Sequence, residues 1–434
     1  MEWYVILSSV FFLLLALFLM GLPIFLSFLL INVGGLYILT GDIKGVLLVV
    51  NSMFSTSTSI SLAAIPLFVL LGELLFRSGS VRIIFDAVDA LVGNFRARLY
   101  AVSIVLSTVF GALSGSAMAV AAMMGSSLLP EMQKRNYDRS LSMGTILAGA
   151  SLAPIIPPSV MAVVLGILSK VSISALLVAG ILPGILLATA FLLYTMVRGF
   201  LNPDVAPLSE SAERPWSERG RTALRAAPFL LIIVTILGLI LGGIATPTEA
   251  AASGCVAAAV ICAIFGNLRL SSLIEALRST AIITAMIMII MVCSVSFSQL
   301  LNFTGATFEL VKLVSALTLP LVLMFIMLQL LPFVLCMFID QIALMIMLVP
   351  IYQPMIGALG FDPIWFWTIF LINMSIGGIT PPFGYTLFSL QGASDGIPIQ
   401  AVYRSVLPFI AIFIAVIAIL ALVPEIILFL PSLL

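Results

Sequence analysis

The residues best suited to chemistry lie in four short interruptions of otherwise apolar sequence. The first is Ser114-Gly115-Ser116 and the second spans 149–159. The third surrounds Asp340 and the fourth spans 377–382. The candidate cation ligands are Ser114, Gly115, Ser116, Gly149, Pro154, Asp340, Gly377, Gly378 and Thr380. The candidates for the vicinity of a substrate are Ser116, Pro157, Ser159, Asp340, Pro381 and Pro382.

These residue types favour two kinds of ligand. Carbonyl groups freed at a helix break, together with hydroxyl and carboxylate oxygens, are hard ligands suited to Na⁺. The N-terminus of a half-helix carries partial positive charge and suits a carboxylate. Glycine lets the backbone approach a ligand closely. We therefore expect one cation at each of two paired interruptions, with an anionic substrate between them.

The composition places these interruptions in a membrane. Hydrophobic residues make up 62% of the 434-residue chain and charged residues only 8%, whereas soluble domains carry about 25% charged residues. Apolar stretches of about 20 residues, the length that crosses a bilayer, recur throughout. The chain is therefore predicted to be an all-α polytopic membrane protein, with lipid around it and no nucleic-acid partner. We interpret the first apolar segment, which begins at Trp3, as a retained span.

An embedded enzyme is disfavoured by what the sequence lacks. The chain has no histidine, the commonest general base. Asp340 has no predicted carboxylate partner at membrane depth. The four cysteines lie inside apolar segments without metal-ligand spacing and are interpreted as packing residues. We therefore predict that the protein is not an enzyme.

The second half of the chain repeats the first at an offset of 224 positions. Five of the nine prolines before position 210 coincide with a later proline, among them Pro157-Pro158 with Pro381-Pro382. The same offset aligns Ser116 with Asp340. Internal repeats of this kind are typical of membrane transporters, whose sites form near the midplane from discontinuous helices.

The distribution of charge predicts that the two repeats are inverted. The positive-inside rule places 15 of the 18 basic residues in the cytoplasm, with only Lys44, Lys170 and Lys312 outside. Basic residues flank segment 100–130 at both ends, which predicts a re-entrant hairpin with its tip at 114–116; a second hairpin is expected around Asp340. Prolines predict a broken transmembrane helix after each hairpin. The count is ten full spans and two hairpins.

The predicted organisation has two repeats and one linker. Its boundaries are repeat one at 1–200 (scaffold 3–76, transport elements 100–192), a cytoplasmic linker at 201–225, and repeat two at 226–434 (scaffold 229–301, transport elements 321–422).

Structural explanations remain open for several of these features. The small residues at 114–116 also suit packing between helices. The Pro-Pro pairs also suit simple kinks, although their duplication disfavours that. Asp340 would need no special role if the tip reached external water, but a charge within an apolar run costs about 3 kcal/mol and points to function. Glu249 also suits an exposed loop acid.

At these residues the chain resembles the large membrane subunit of TRAP (tripartite ATP-independent periplasmic) transporters. The segments that carry the resemblance are Thr246-Pro247-Thr248-Glu249-Ala250-Ala251, Ser114-Gly115-Ser116, Ala153-Pro154-Ile155-Ile156-Pro157-Pro158-Ser159 and Gly377-Gly378-Ile379-Thr380-Pro381-Pro382.

The resemblance implies a function beyond the pattern of residues. Such subunits import organic acids across the bacterial inner membrane, coupled to a Na⁺ gradient. They work with a small four-helix membrane subunit and a periplasmic substrate-binding protein. Transport of elevator type is implied, in which hairpins and broken helices move against a scaffold. The alternative is a self-sufficient Na⁺-coupled anion symporter or antiporter with the same repeats, since the chain contains no recognisable binding domain.

Overall fold

The computed structural model describes residues 3–77, 80–92, 96–207, 216–265, 270–317, 319–394 and 396–434. Within these ranges the chain forms α-helices and three short 3-10 helices, without any strand. Helices are the expected outcome in lipid, because a helix satisfies its own backbone hydrogen bonds where water is absent. The fold is an all-α polytopic membrane architecture.

The first half begins with scaffold helices and continues into a hairpin and a broken helix. Its helices are α1 (Trp3–Leu19), α2 (Ile24–Thr40), α3 (Lys44–Ser57), α4 (Ala64–Arg77), α5 (Ser80–Leu91), α6 (Arg98–Ser114), α7 (Ala117–Lys134), α8 (Arg139–Ala150), α9 (Val160–Ser169), α10 (Ile173–Ala179) and α11 (Ile181–Leu201).

The second half follows the same order. Its helices are α12 (Trp216–Leu241), α13 (Pro247–Ile264), α14 (Leu270–Phe303), α15 (Ala306–Ala316), α16 (Leu321–Cys336), α17 (Gln341–Leu359), α18 (Pro363–Gly377), α19 (Tyr385–Gly392), α20 (Ile399–Leu422) and α21 (Glu425–Leu428).

The offset of 224 relates the helices of the two halves as well as their prolines. It brings α6–α7 onto α16–α17, and α8 and α9 onto α18 and α19. It also aligns Asp138 with Asp362, and each side chain caps its helix: Asp138 accepts from the Leu141 N–H (2.7 Å) and Asp362 from the Trp365 N–H (2.9 Å). The duplication therefore extends to single capping hydrogen bonds. Each repeat carries one re-entrant hairpin and one broken helix.

Helix length separates full spans from hairpin arms only in part, since the hairpin arm α17 is long enough to cross and the scaffold helices α1 and α2 are shorter. In the described part of the chain, seven helical runs are long and apolar enough to cross a membrane. They are 60–77, 173–201, 218–241, 247–264, 270–303, 341–359 and 399–422. The shorter apolar helices, at 10–17 residues, are α1, α2, α6, α9, α16 and α18. In α6, α9, α16 and α18 this length suits hairpin arms and half-helices, because each crosses only part of the bilayer.

The two repeats differ at one scaffold position and at the linker. In the first repeat an arm helix, α3, is separated from α4 by a 3-10 turn at Ile60–Ala63, whereas the equivalent second-repeat segment is the single 34-residue helix α14. Part of the predicted linker is helical, since α12 already begins at Trp216; residues 208–215 lie outside the described ranges. The predicted repeat boundaries remain predictions.

Ion pairs and hydrogen bonds link the scaffold helices α4 and α14, one from each repeat, at one end. Arg77 on α4 donates to Glu73 at 2.7 Å and to Glu275 on α14 at 2.9 Å. Ser279 on α14 also donates to Glu73, at 2.8 Å. These residues fall where the charge distribution predicts the cytoplasmic side, so the network joins both repeats at that surface.

Candidate functional site

The tip of the first hairpin is a two-residue reversal. Helix α6 ends at Ser114, Gly115 turns the chain with a left-handed φ of 63°, and Ser116 caps α7 by accepting from the Ala119 N–H at 3.3 Å. Glycine is needed because the left-handed conformation is costly for residues that carry a β-carbon. All three tip residues are half-buried. The predicted position of this tip is confirmed by the helix ends.

The first broken helix stops and restarts around the proline run. Helix α8 ends at Ala150 and α9 begins at Val160, with Ser159 accepting from the Ala162 N–H at 3.2 Å. The Ser159 hydroxyl also donates to the carbonyl of Pro154, and both residues are buried. The Pro157–Pro158 peptide bond is cis.

The first tip lies directly against the first break. A β-carbon on Gly111 would lie 2.9 Å from the Ala153 β-carbon, and one on Gly115 would lie 3.6 Å from the Val160 side chain. The scaffold also reaches this tip, since a β-carbon on Gly72 of α4 would lie 2.7 Å from the Leu113 carbonyl oxygen. Glycines thus bring backbone segments together here.

Gly149 has a packing explanation that the sequence did not reveal. It is buried inside the last turn of α8, and its α-carbon faces Ser107 of α6 so closely that a β-carbon would lie 2.5 Å from the Ser107 β-carbon. Its carbonyl already accepts a hydrogen bond from the Leu152 N–H at 3.2 Å. The role of Gly149 as a cation ligand is untested, and close packing accounts for the glycine.

The tip of the second hairpin carries the acid. Helix α16 ends at Cys336 and α17 begins after Asp340, whose side chain accepts from the Ile342 N–H at 2.9 Å. Gln341 donates to the carbonyl of Met374 on α18 at 2.7 Å, which fastens this tip to the second broken helix. Asp340 is exposed by its accessible surface, yet its carboxyl group is closely surrounded by protein, with Cys336 and Tyr385 near enough to interact with it electrostatically.

The second broken helix is interrupted at the repeat-related position. Helix α18 ends at Gly377 and α19 begins at Tyr385. Gly377 faces Cys336 of the hairpin, and a β-carbon on Gly378 would lie 2.7 Å from the Tyr385 hydroxyl oxygen. Thr380 is buried and its hydroxyl donates to the Ile376 carbonyl at 2.8 Å. Pro381 is half-buried, Pro382 is exposed, and the bond between them is cis.

Corresponding carbonyl groups in the two breaks lack hydrogen-bond donors. In the described part of the chain, the carbonyls of Ile155 and Pro157 accept no hydrogen bond, and neither do those of Ile379 and Pro381. These two pairs are related by the offset of 224. Backbone oxygens left free inside a membrane protein are costly unless a ligand, ion or water satisfies them. Their recurrence leaves backbone oxygens without a hydrogen bond in both breaks, and the Ile155 carbonyl packs closely against Gly180.

The hairpins and broken helices of the two repeats are interleaved. Helix α7, the second arm of the first hairpin, packs against α19 of the other repeat. Helix α17 of the second hairpin packs against α9 of the first repeat. A β-carbon on Gly125 of α7 would lie 2.7 Å from the Leu390 side chain of α19, so this contact is close. The four interruptions consequently belong to one packed unit.

Sequence reasoning missed two aromatic residues beside Asp340. Phe338 of the second tip and Phe383 of the second break have ring centroids 5.8 Å apart. The offset of 224 pairs them with Ser114 and Ser159. That double replacement of serine by phenylalanine was visible in the sequence, but the contact between the rings was not.

Glu249 has a local structural role. Its carboxylate accepts from the Thr246 N–H at 2.9 Å while the Thr246 hydroxyl accepts from the Glu249 N–H at 3.3 Å, which forms a capping box at the start of α13. The Thr-Pro-Thr-Glu turn therefore begins a helix, and Glu249 is an exposed residue of its capping box and not a loop acid.

Two repeats, each with a re-entrant hairpin and a broken helix, define a membrane transporter component, because irregular backbone within the bilayer is tolerated only around a cavity or buried site. The sequence profile described as "Tripartite ATP-independent periplasmic transporter, DctM component" matches residues 11–426. The chain belongs to this family, as its resemblance predicted.

Individual relatives match along nearly their whole length. The chain is 31% identical over 428 residues to the ectoine/5-hydroxyectoine TRAP transporter large permease protein UehC of Ruegeria pomeroyi, covering 98% of this chain and 99% of that protein. It is 32% identical to the C4-dicarboxylate protein DctM of Pseudomonas aeruginosa, covering 88% of each. It is 31% identical to the sialic acid protein SiaM of Vibrio cholerae, covering 95% of each.

A solved structure shares the fold. The YdaH transporter of Alcanivorax borkumensis, described as having an unusual topology, matches with a TM-score of 0.66 and 15% sequence identity, covering 88% of this chain and 90% of that one. At this identity the similarity concerns the fold alone.

Proposed function

We propose that this protein imports a small carboxylate-bearing compound across the bacterial inner membrane by coupling it to the Na⁺ gradient. The observation that carries the proposal is the recurrence of unbonded carbonyls at Ile155, Pro157, Ile379 and Pro381. Together with Ser116 and Asp340 they supply hard oxygen ligands in both repeats, which suits two Na⁺ ions.

The substrate would lie between the two breaks. The N-termini of α7 and α9 are capped by the hydroxyls of Ser116 and Ser159, so their partial positive charge is not neutralised by an acid. That environment favours a carboxylate. The relatives named for ectoine, C4-dicarboxylates and sialic acid agree with such a substrate, because each of these compounds contains at least one carboxylate.

Movement would follow an elevator scheme. The interleaved unit formed by α6–α9 and α16–α19 would carry the ligands. Helices α4 and α14 would belong to the static scaffold. The helices α5 and α15 lead from the scaffold into each hairpin and would act as the connecting arms. A periplasmic binding protein and a small four-helix membrane subunit would complete the transporter.

Reconstitution tests this proposal. The chain is purified with a candidate small four-helix subunit from the same organism, placed in proteoliposomes, and supplied with a candidate binding protein and its radiolabelled ligand. We expect uptake with an inward Na⁺ gradient, and none when K⁺ replaces Na⁺ or when the binding protein is omitted. Uptake of free substrate without a binding protein would favour the self-sufficient symporter instead, and Na⁺-independent uptake would contradict the coupling.

A further inference from the structure

Helix α17, the second arm of the second hairpin, contains a carbonyl group that its own helix cannot satisfy. In an α-helix the Ile346 carbonyl accepts from the N–H of the residue four positions further on. That residue is Pro350, which has no N–H. Ile346 is buried. A buried carbonyl without a donor is destabilising, so the hydrogen bond must come from another part of the chain.

The scaffold supplies the missing donor. The Ser294 hydroxyl of α14 donates to the Ile346 carbonyl at 3.1 Å, and Ser294 is also buried. At the preceding residue, the Cys293 carbonyl accepts from the side-chain amide of Asn32 on α2 at 2.7 Å. Helix α14 is thus tied to a second scaffold helix and, through the next residue, to the hairpin.

The first repeat has neither member of this pair. The offset of 224 aligns Ser294 with Leu70 and Pro350 with Ser126. Ser126 retains its N–H, so the first repeat needs no donor from the scaffold at this position, and the Leu70 side chain cannot provide one. The hydroxyl therefore occurs in the repeat in which a proline frees a carbonyl, which indicates that the two residues act together.

This hydrogen bond crosses the boundary between the two units of the proposed elevator. Ser294 would belong to the scaffold and Ile346 to the unit that carries the ligands. At 3.1 Å the bond tolerates little displacement, because a donor and an acceptor about 3.6 Å apart no longer form a hydrogen bond. Sliding of the hairpin along α14 would leave the carbonyl without this donor, and lipid offers none in its place.

We propose that the hydrogen bond from Ser294 to Ile346 is a lock that favours the described position of the second hairpin, and that Pro350 creates the lock by freeing the carbonyl. The inference rests on the proposed function, because it assumes that the hairpin moves against the scaffold. Loss of the bond should shift the ratio of the two positions about fivefold, which is the effect of one typical hydrogen bond.

The distance between two spin labels, one on each side of the boundary, tests the lock. Ser8 of α1 and Leu331 of α16 are exposed and line one cavity. Labelled cysteines at these positions should therefore be close in the described position and farther apart after a displacement. The four native cysteines are buried and should contribute little labelling. The measured quantity is the ratio of short to long distances in the purified full chain in NaCl.

Two substitutions remove the lock in different ways. Ser294→Ala removes the donor, and Pro350→Ala restores an N–H within α17. Either change should lower the ratio about fivefold, and the double variant should lower it no further, because both remove the same advantage. Thermal stability should differ: Ser294→Ala leaves a buried carbonyl unsatisfied and should lower the unfolding temperature, whereas Pro350→Ala adds a helix hydrogen bond and should not. A bond that persisted in both positions would not change the ratio.

Ser296→Ala and Pro354→Ala are the matched controls. The buried Ser296 hydroxyl donates to the Val292 carbonyl within α14 at 3.2 Å, and Pro354 lies in α17 one turn beyond Pro350. Neither change should alter the ratio. The lock is overturned if every variant shows one and the same distance, if Ser294→Ala keeps the wild-type ratio, or if Pro350→Ala and Pro354→Ala behave alike. Na⁺-driven uptake in proteoliposomes would then leave the proposed function standing, whereas Na⁺-independent uptake would contradict the proposed function itself, whatever the ratio.

Discussion

Replacing Asp340 by asparagine separates the charge of this side chain from its structural role. Asparagine caps a helix about as well as aspartate, so the hydrogen bond from the Ile342 N–H, 2.9 Å in length, should persist in Asp340→Asn. The substitution removes the negative charge and little else. A loss of Na⁺ affinity would then report on ligation rather than on folding.

The expected magnitude follows from the exposure of the side chain. Two unit charges 4 Å apart attract by about 4 kcal/mol at an effective dielectric constant of 20 and by about 1 kcal/mol in bulk water. Asp340 lies at the surface of the tip while its carboxyl group is closely surrounded by protein, so the loss should lie between these two values. We expect about 1.4 kcal/mol, which corresponds to a tenfold weaker affinity for Na⁺.

The assay is thermal unfolding of the purified chain, titrated with NaCl while KCl keeps the ionic strength constant. Na⁺ that binds only the folded state raises the free energy of unfolding by RT ln(1 + [Na⁺]/Kd). A tenfold weaker affinity should therefore move the midpoint of the NaCl titration to an about tenfold higher concentration. Asp362→Asn is the control, since Asp362 also caps a helix by accepting from a backbone N–H, that of Trp365 at 2.9 Å, and lies at the end of α18 opposite the break. An unchanged Na⁺ midpoint in Asp340→Asn would refute the assignment of a cation to this carboxylate.

Two further predictions concern packing and topology. Gly111→Val should destabilise the chain by about 1–3 kcal/mol, because a β-carbon there would lie 2.9 Å from the Ala153 β-carbon. Gly357→Ala, in a helix with open space around it, is the control and should be neutral or stabilising. Equal unfolding temperatures for the two variants would contradict the contact between the first tip and the first break. The predicted topology places Ser432 outside and Gly220 in the cytoplasm. A cysteine at Ser432 should therefore react with an impermeant maleimide added outside the membrane, and one at Gly220 only after permeabilisation. The four native cysteines are buried and should contribute little labelling. The reverse labelling would overturn the topology.

The positions of the tips and breaks could be predicted because they depend on local backbone chemistry. Prolines such as Pro157 and Pro381 prevent a continuous helix whatever surrounds them, and Gly115 supplies a conformation that other residues adopt only at a cost. The helix ends at Ser114 and Gly377 follow from such effects. The beginning of α12 was harder to predict, because the polar residues from Trp216 to Arg225 form helix while looking like linker.

Sequence by itself determined that the chain is a duplicated, helical membrane transporter component, since composition, proline spacing and the position of charges are properties of the linear chain. Tertiary structure decided which groups meet. Only packing shows that Gly149 accommodates Ser107, that α7 contacts α19, and that Phe338 touches Phe383. These contacts join residues far apart in the chain, and their geometry depends on how whole helices pack, which no local spacing encodes.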